Sequence, residues 1–387
     1  MELPPYHPLT ELRDWRSAAP GAAFRIADAQ THVVCFGATG SGKSSGPLAH
    51  LARAYLAHGF GGCVCCSKPD ERPMWQRWAA EMGRSDDLVI FDASGKWMLN
   101  FLEWEASRAG SEGGGLTINI VALLDELAGA IASGAGKAED GHSGENRFFD
   151  DALHHMLTNL VDLAIFADLP VSLPLMRSIA NSAPQSLREA NSHEWKHGAG
   201  ADPSPGVCAA TLDRADQLTG KGDADARADF EECRAYWTEE FPNLAEKTRS
   251  IITLSFSMLA RPFLTRPLRR LFSTDTTIKP EDTFDGKIII VDLPVQTYRL
   301  AGRVANLVWK YCFMRASLTR AQPGGDRYLR PIFIWCDEYQ TFASDFDPEW
   351  AAVARSAGAC GVFAVQNRES LIRELGNAAT VEVTKPV

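Results

Sequence analysis

The sequence predicts an α/β fold, a mostly parallel sheet interrupted by an inserted all-α domain. Short β-prone apolar runs alternate with helical periodicity in both the first and the last hundred or so residues, and a long stretch between them carries helical periodicity with no convincing strand. Each apolar run also ends in glycine or polar residues, as strands do where a site is built on their ends.

The first run, Thr31 to Phe36, leads at once into Gly37-Ala-Thr-Gly-Ser-Gly-Lys-Ser44, after which Leu48, Leu51, Ala52 and Leu56 recur at helical spacing. This is strand, glycine loop, helix. Cys63 to Cys66 and Leu88 to Phe91 read as the next strands, separated by a helix over Arg72 to Met82. From about Thr117 to Ser273 the periodicity is helical, as in Phe148, Leu153, Met156, Leu157, Leu160, Leu163 and Ala164. Within that stretch, Ser192 to Asp229 mixes Gly, Pro and charged residues and is expected to hold loops or mobile links. Strands resume at Lys287 to Asp292, Pro331 to Asp337 and Cys360 to Val365, with helices over Leu300 to Leu318 and Pro348 to Ala357 between them.

At 387 residues with 45% hydrophobic content, the chain is long enough for two or three packed domains. A net charge of −10 excludes a generic basic coat for nucleic acid and leaves room only for a locally basic channel. Arg261, Arg266, Arg269 and Arg270 form one basic cluster, better read as a solvated helix face than as a phosphate contact. No run of about 18 apolar residues occurs and Met1 to Arg25 has no leader-like apolar segment, so the expectation is a soluble, cytoplasmic protein. The nine cysteines lie in apolar runs, the usage of buried hydrophobes in a reducing compartment; Cys63 and Cys66, though spaced C-x-x-C, lack a second pair and read as part of a strand.

The chemistry begins at Gly37 to Ser44, which fits G-x-x-x-x-G-K-[ST]. Backbone N–H groups of Gly37, Ala38, Thr39, Gly40, Ser41, Gly42, Lys43, Ser44 and Ser45 are candidates to wrap phosphates at a helix N-terminus, with Lys43 on the β and γ phosphates and Ser44 on Mg²⁺. The expected cofactors are ATP and Mg²⁺. A hydrolase also needs a carboxylate for the metal and a group to orient water, at the end of a neighbouring buried strand. Asp337 is assigned to the metal and Glu338 to the base, strand alternation being the expected reason for their separate roles. Gln366 ends the last strand as a candidate γ-phosphate sensor, and Arg355 is a candidate arginine finger acting across a subunit boundary.

Taken together, Gly37 to Ser44, Ser67-Lys68-Pro69-Asp70-Glu71, a helical insert that includes Glu145 to Phe149 and returns near Leu259 to Phe263, Gly286 to Pro294, and Asp337-Glu338 with Arg355 to Gln366 resemble the conjugative coupling proteins of type IV secretion systems, within the ring-forming DNA translocases. The resemblance implies a RecA-like P-loop NTPase core over residues 1–115 and 275–387 and an all-α domain over 116–274. It implies a homohexamer that translocates DNA, single-stranded by preference, or nucleoprotein, with relaxosome-like or effector proteins as partners. Family members usually begin with two membrane-spanning helices; this sequence shows none, so membrane contact is expected only through partners, at the inner face of the bacterial membrane. The family also adds strands after the position of Gln366, so a C-terminally truncated form is expected, with Thr380 to Lys385 as the first of those strands. Two other readings stay open: an ATPase that recruits or remodels protein cargo without DNA stimulation, and a nucleotide-gated adaptor.

Overall fold

A computed structural model describes residues 3–12, 23–38, 40–108, 115–133, 144–198, 205–220, 224–320, 327–344 and 346–373. Thr39 and the expected strand Thr380 to Lys385 lie outside the described residues. The chain divides into two compact units, one comprising Met1–Leu99, Glu126–Lys137 and Thr276–Val387, the other Asn100–Asp125 and Ala138–Asp275.

The first unit is built on six parallel strands, β1 (Val33–Phe36), β2 (Gly61–Cys65), β3 (Leu88–Asp92), β4 (Ile288–Asp292), β5 (Ile332–Cys336) and β6 (Ala359–Val365). Their order across the sheet is β1-β6-β5-β2-β4-β3. Parallel strands need helices on both faces, and strands covered on both sides read as continuous apolar runs. Accordingly every residue of β2, β5 and β6 is buried. Helices α1 (Pro47–Ala57) and α2 (Glu71–Glu81) cover one face, where Leu48, Leu51, Tyr55, Trp75 and Trp78 share a core with Val64, Ile290, Phe333, Trp335 and Val362. Trp75 stacks on Phe333 at a ring separation of 5.6 Å. Helix α3 (Val295–Leu318) lies on the other face, with Trp309 set edge-on to Phe91 at 5.0 Å, and the short helix α4 (Phe346–Val353) precedes β6.

The second unit is all helix. Gly144–Phe166 packs with Leu173–Ser182, Val207–Thr219, Ala224–Ala235 and Glu246–Ala260. Met156, Leu157, Leu160, Leu163 and Ala164 form its buried stripe, while Phe148, at the start of the same periodic series, is 54% exposed. A single π turn, Tyr236–Glu240, brings the Trp237 indole N–H to the Asn159 carbonyl at 3.2 Å.

Of the segment Ser192 to Asp229, residues 199–204 and 221–223, where the glycine-rich links are expected, lie outside the described residues, and the part between them is not a link. It contains the helix Val207–Thr219, one face of which buries Cys208, Leu212 and Ala215; burial of that face outweighs the flanking Gly and Pro. Arg261, Arg266, Arg269 and Arg270 are all exposed, while Phe263 and Leu268 between them and Leu271 after them are buried. Among the described residues, no helix is long and apolar enough to cross a membrane.

Candidate active site

Because all six strands are parallel, their carboxyl ends lie on one edge, and the residues that follow neighbouring strands become neighbours in space. The order along that edge is the glycine loop after β1, Gln366 after β6, Asp337-Glu338 after β5 and Lys68 after β2.

The loop turns on Gly40 and Gly42, whose φ values of 78° and 81° are left-handed and favour glycine. Its N–H groups then lead into α1, which opens with Pro47 in its first turn. Lys43 Nζ donates back to the Gly37 carbonyl and, at 3.4 Å, to that of Ala38. Ser44 Oγ donates to Asp337 Oδ2 at 2.8 Å, a contact between residues 293 positions apart. A hydroxyl and a carboxylate meeting beside a helix N-terminus form a hard-oxygen donor set suited to Mg²⁺, so Ser44 and Asp337 are the residues that could hold it.

Glu338 explains how two consecutive carboxylates serve one edge, and the reason is not strand alternation. Strand β5 ends at Cys336, and Glu338 takes a left-handed conformation, φ 56° and ψ 47°, that swings its side chain round beside Asp337. Such strain in a non-glycine residue persists only where its surroundings hold it. Here Tyr339, the next residue, is buried and donates its hydroxyl to Asp347 Oδ2 at 2.6 Å, and Asp347 in turn is paired with the buried Lys310 of α3 and accepts from Ser344.

Glu338 is held at both oxygens. Oε2 accepts from Gln340 at 2.8 Å and from Gln366 at 2.9 Å, while Oε1 accepts from Lys68 Nζ at 2.8 Å. The Lys68 ammonium also lies 3.8 Å from Asp337 Oδ2. Burial pushes the Glu338 carboxyl up, but the hydrogen bonds from Lys68, Gln340 and Gln366 outweigh it and leave the group below the usual carboxylate range. Burial likewise works against the Lys68 charge, and Glu338, then Asp337, overcome it and raise the ammonium above its ordinary value. Spacing along the chain gave no reason to assign Lys68 a role: the signal is its place at the end of a strand that is a sheet neighbour of β5.

A cavity of about 450 Å³ opens over this edge, lined by the glycine loop from Gly40 to Ser45 together with Lys68, Trp78 and Glu338. That size suits a nucleotide. Of the residues singled out in the sequence, Lys43, Ser44, Asp337, Glu338 and Gln366 are thus brought together. Arg355 is not. It precedes the start of β6, whereas the end of that strand meets the glycine loop through Gly37 N–H to Val365 O at 3.1 Å. The length of β6, seven residues, places roughly 20 Å between the two edges at ~3.3 Å per residue. Arg355 is exposed and lines a different cavity with Tyr6, Tyr328 and Val353.

No family model matches the sequence, and no curated protein matches it. Solved structures do share its fold. The chain is similar to the plasmid coupling protein TrwB in complex with the non-hydrolysable GTP analogue GDPNP, at a TM-score of 0.57 and 16% identity over 95% of this chain and 72% of that one. It is similar to TrwB with ADP and Mg²⁺, at 0.56 and 15% over 95% and 73%, and to the unbound form of the bacterial conjugative coupling protein TrwBdeltaN70, at 0.57 and 15% over 95% and 71%. The likeness is one of fold: a six-stranded parallel sheet with helices on both faces and a helical insertion in the chain.

Proposed function

We propose that this chain is an ATP-hydrolysing motor of the conjugative coupling-protein type, which moves DNA or nucleoprotein as a ring of identical subunits. The observation that carries the reading is the Ser44–Asp337 hydrogen bond with Glu338 beside it, which puts a phosphate-loop hydroxyl, a metal-suited carboxylate and a candidate base on one sheet edge. The fold shared with TrwB, solved with ADP and Mg²⁺, supports nucleotide binding here.

In this reading the loop Gly37 to Ser45, Thr39 included, wraps the phosphates, and Lys43 turns from its own loop carbonyls to the β and γ phosphates. Ser44 and Asp337 would hold Mg²⁺, which when bound would offset the charge of the phosphate oxygens. Glu338 takes a proton from water as the water oxygen bonds to the γ-phosphorus; the bond from that phosphorus to the bridging oxygen breaks, and ADP leaves with the electron pair. Gln366, tied to Glu338, orients the water and the terminal phosphate. The sheet-bearing unit is the motor and the helical unit receives cargo.

Arg355 lies too far along β6 to serve its own loop and acts on the nucleotide of a neighbouring subunit. Arg355→Ala is expected to lower turnover only in assembled rings, by roughly 10³-fold or more. Mixing it with Lys43→Ala subunits should restore part of the activity; no restoration at any ratio, in mixed rings shown to form, removes the trans assignment.

The motor reading is tested by steady-state ATP hydrolysis with and without single-stranded and duplex DNA, using Lys43→Ala as background. Severalfold stimulation by DNA is the expected result. A preparation shown by light scattering to be hexameric and yet unmoved by DNA points to protein cargo instead, a reading the net charge of −10 favours.

A further inference from the structure

Among the described residues Lys68 is the one cation at this edge that touches the candidate base, and its surroundings are built to aim it. The backbone on either side is fixed: Cys66 N–H donates to Asn306 Oδ1 at 2.9 Å, and Ser67 and Lys68 N–H donate to the buried Glu71 carboxyl at 3.2 and 2.9 Å. The Ser67 carbonyl accepts from Gln296 N–H at 3.0 Å. Burial, and then the charge of Asp337, push Glu71 well above the usual carboxylate range, and its carboxyl anchors this turn through the two backbone N–H groups. The loop is therefore held while the four-carbon side chain, 31% exposed, is free to reach into the cavity.

The partners of Glu338 divide in the same way. Two amides fasten Oε2, and among the described residues Lys68 alone engages Oε1. If Lys68 lets go, the carboxylate stays in place and exposes one oxygen. Ser44 Oγ, Asp337 Oδ2 and Lys68 Nζ are linked in series at 2.8 and 3.8 Å, so a terminal phosphate seated against Ser44 comes within a side-chain rotation of the ammonium.

We propose that Lys68 reads the terminal phosphate of a nucleoside triphosphate: its ammonium exchanges Glu338 Oε1 for a γ-phosphate oxygen, and the same exchange frees Oε1 to accept the proton of the attacking water. The inference rests on the nucleotide-hydrolysing reading above. It makes Lys68 both the residue that distinguishes triphosphate from diphosphate and a restraint on the base until the triphosphate is present. A lysine that served only to pin Glu338 would affect turnover and leave that distinction untouched.

The test is the affinity, by calorimetry with Mg²⁺ present, of a non-hydrolysable ATP analogue and of ADP for the full chain and for Lys68→Ala, Lys68→Met and Lys68→Arg. The expected result is a loss of tenfold or more in triphosphate affinity in the Ala and Met variants, with ADP affinity within twofold of the unaltered chain and partial retention in the Arg variant. ADP binding also reports that each variant is folded. If the Met variant, which keeps the length of the side chain, loses both nucleotides equally or neither, the inference is overturned while the nucleotide reading stands. If the unaltered chain binds neither nucleotide, both fall.

Discussion

Lys43→Ala is expected to bring ATP hydrolysis down to background, a loss of roughly 10² to 10³-fold at the least, the scale seen when one preorganised charge-stabilising donor is removed from an active site. Two effects add. In the proposed reaction the ammonium, the only charged side chain from Gly37 to Ser45, follows charge from the β to the γ phosphate, and it also spans the loop by donating to the carbonyls of Gly37 and Ala38. Removing it takes away the phosphate partner and loosens the turn that carries Gly40 and Gly42. Nucleotide binding, followed by fluorescence of a labelled analogue, is expected to weaken together with turnover. Hydrolysis at the unaltered rate in a folded Lys43→Ala protein would remove the phosphate-loop assignment.

Glu338→Gln separates binding from chemistry. The amide fills the volume of the carboxyl and can take the same left-handed backbone, so the cavity and the Ser44–Asp337 pair are expected to survive and nucleotide is retained. What disappears is the acceptor for the water proton, a contribution of about 10² to 10⁴ in rate. A secondary disturbance follows from hydrogen-bond polarity. Oε2 accepts from two amide donors, and a Gln at this position that turns its own NH₂ toward them faces donors with a donor, whereas turning its oxygen toward them presents NH₂ to the Lys68 ammonium. Single-turnover hydrolysis measured beside equilibrium binding distinguishes the outcomes: slow chemistry with retained binding supports the base assignment, and unaltered chemistry ends it.

The parts of this molecule that could be read from sequence are those determined by neighbours along the chain. The apolar runs of β2, β4, β5 and β6 carry their burial on both faces in their composition, and the glycine loop declares itself because its residues act within a single turn. The unread parts depend on which strands lie side by side. Lys68 and Glu338 are 270 positions apart, and only the placement of β2 next to β5 makes them partners. The buried Lys310–Asp347 pair behind the Glu338 turn is of the same kind, since the helix that carries Lys310 contains no carboxylate to pair with it. The helix Val207–Thr219 was obscured for a different reason: glycine and proline on both sides dominate a short window, while the stabilising burial comes from helices distant in sequence.

The strand order also dictates how this protein must come into being. None of β1, β2 and β3 pairs with another of the three; each lies against strands made after the helical insertion. At ~5–20 residues per second, the ribosome takes on the order of ten to forty seconds to pass from β3 to β4. Throughout that interval the nascent chain carries three apolar strands without a single sheet partner, β2 lacking both of its final neighbours, while the helical unit, whose residues are all made before β4, can already condense. Synthesis therefore favours a helical unit folded first, and it leaves the N-terminal strands as the segment a holding chaperone must shield until the rest of the sheet arrives.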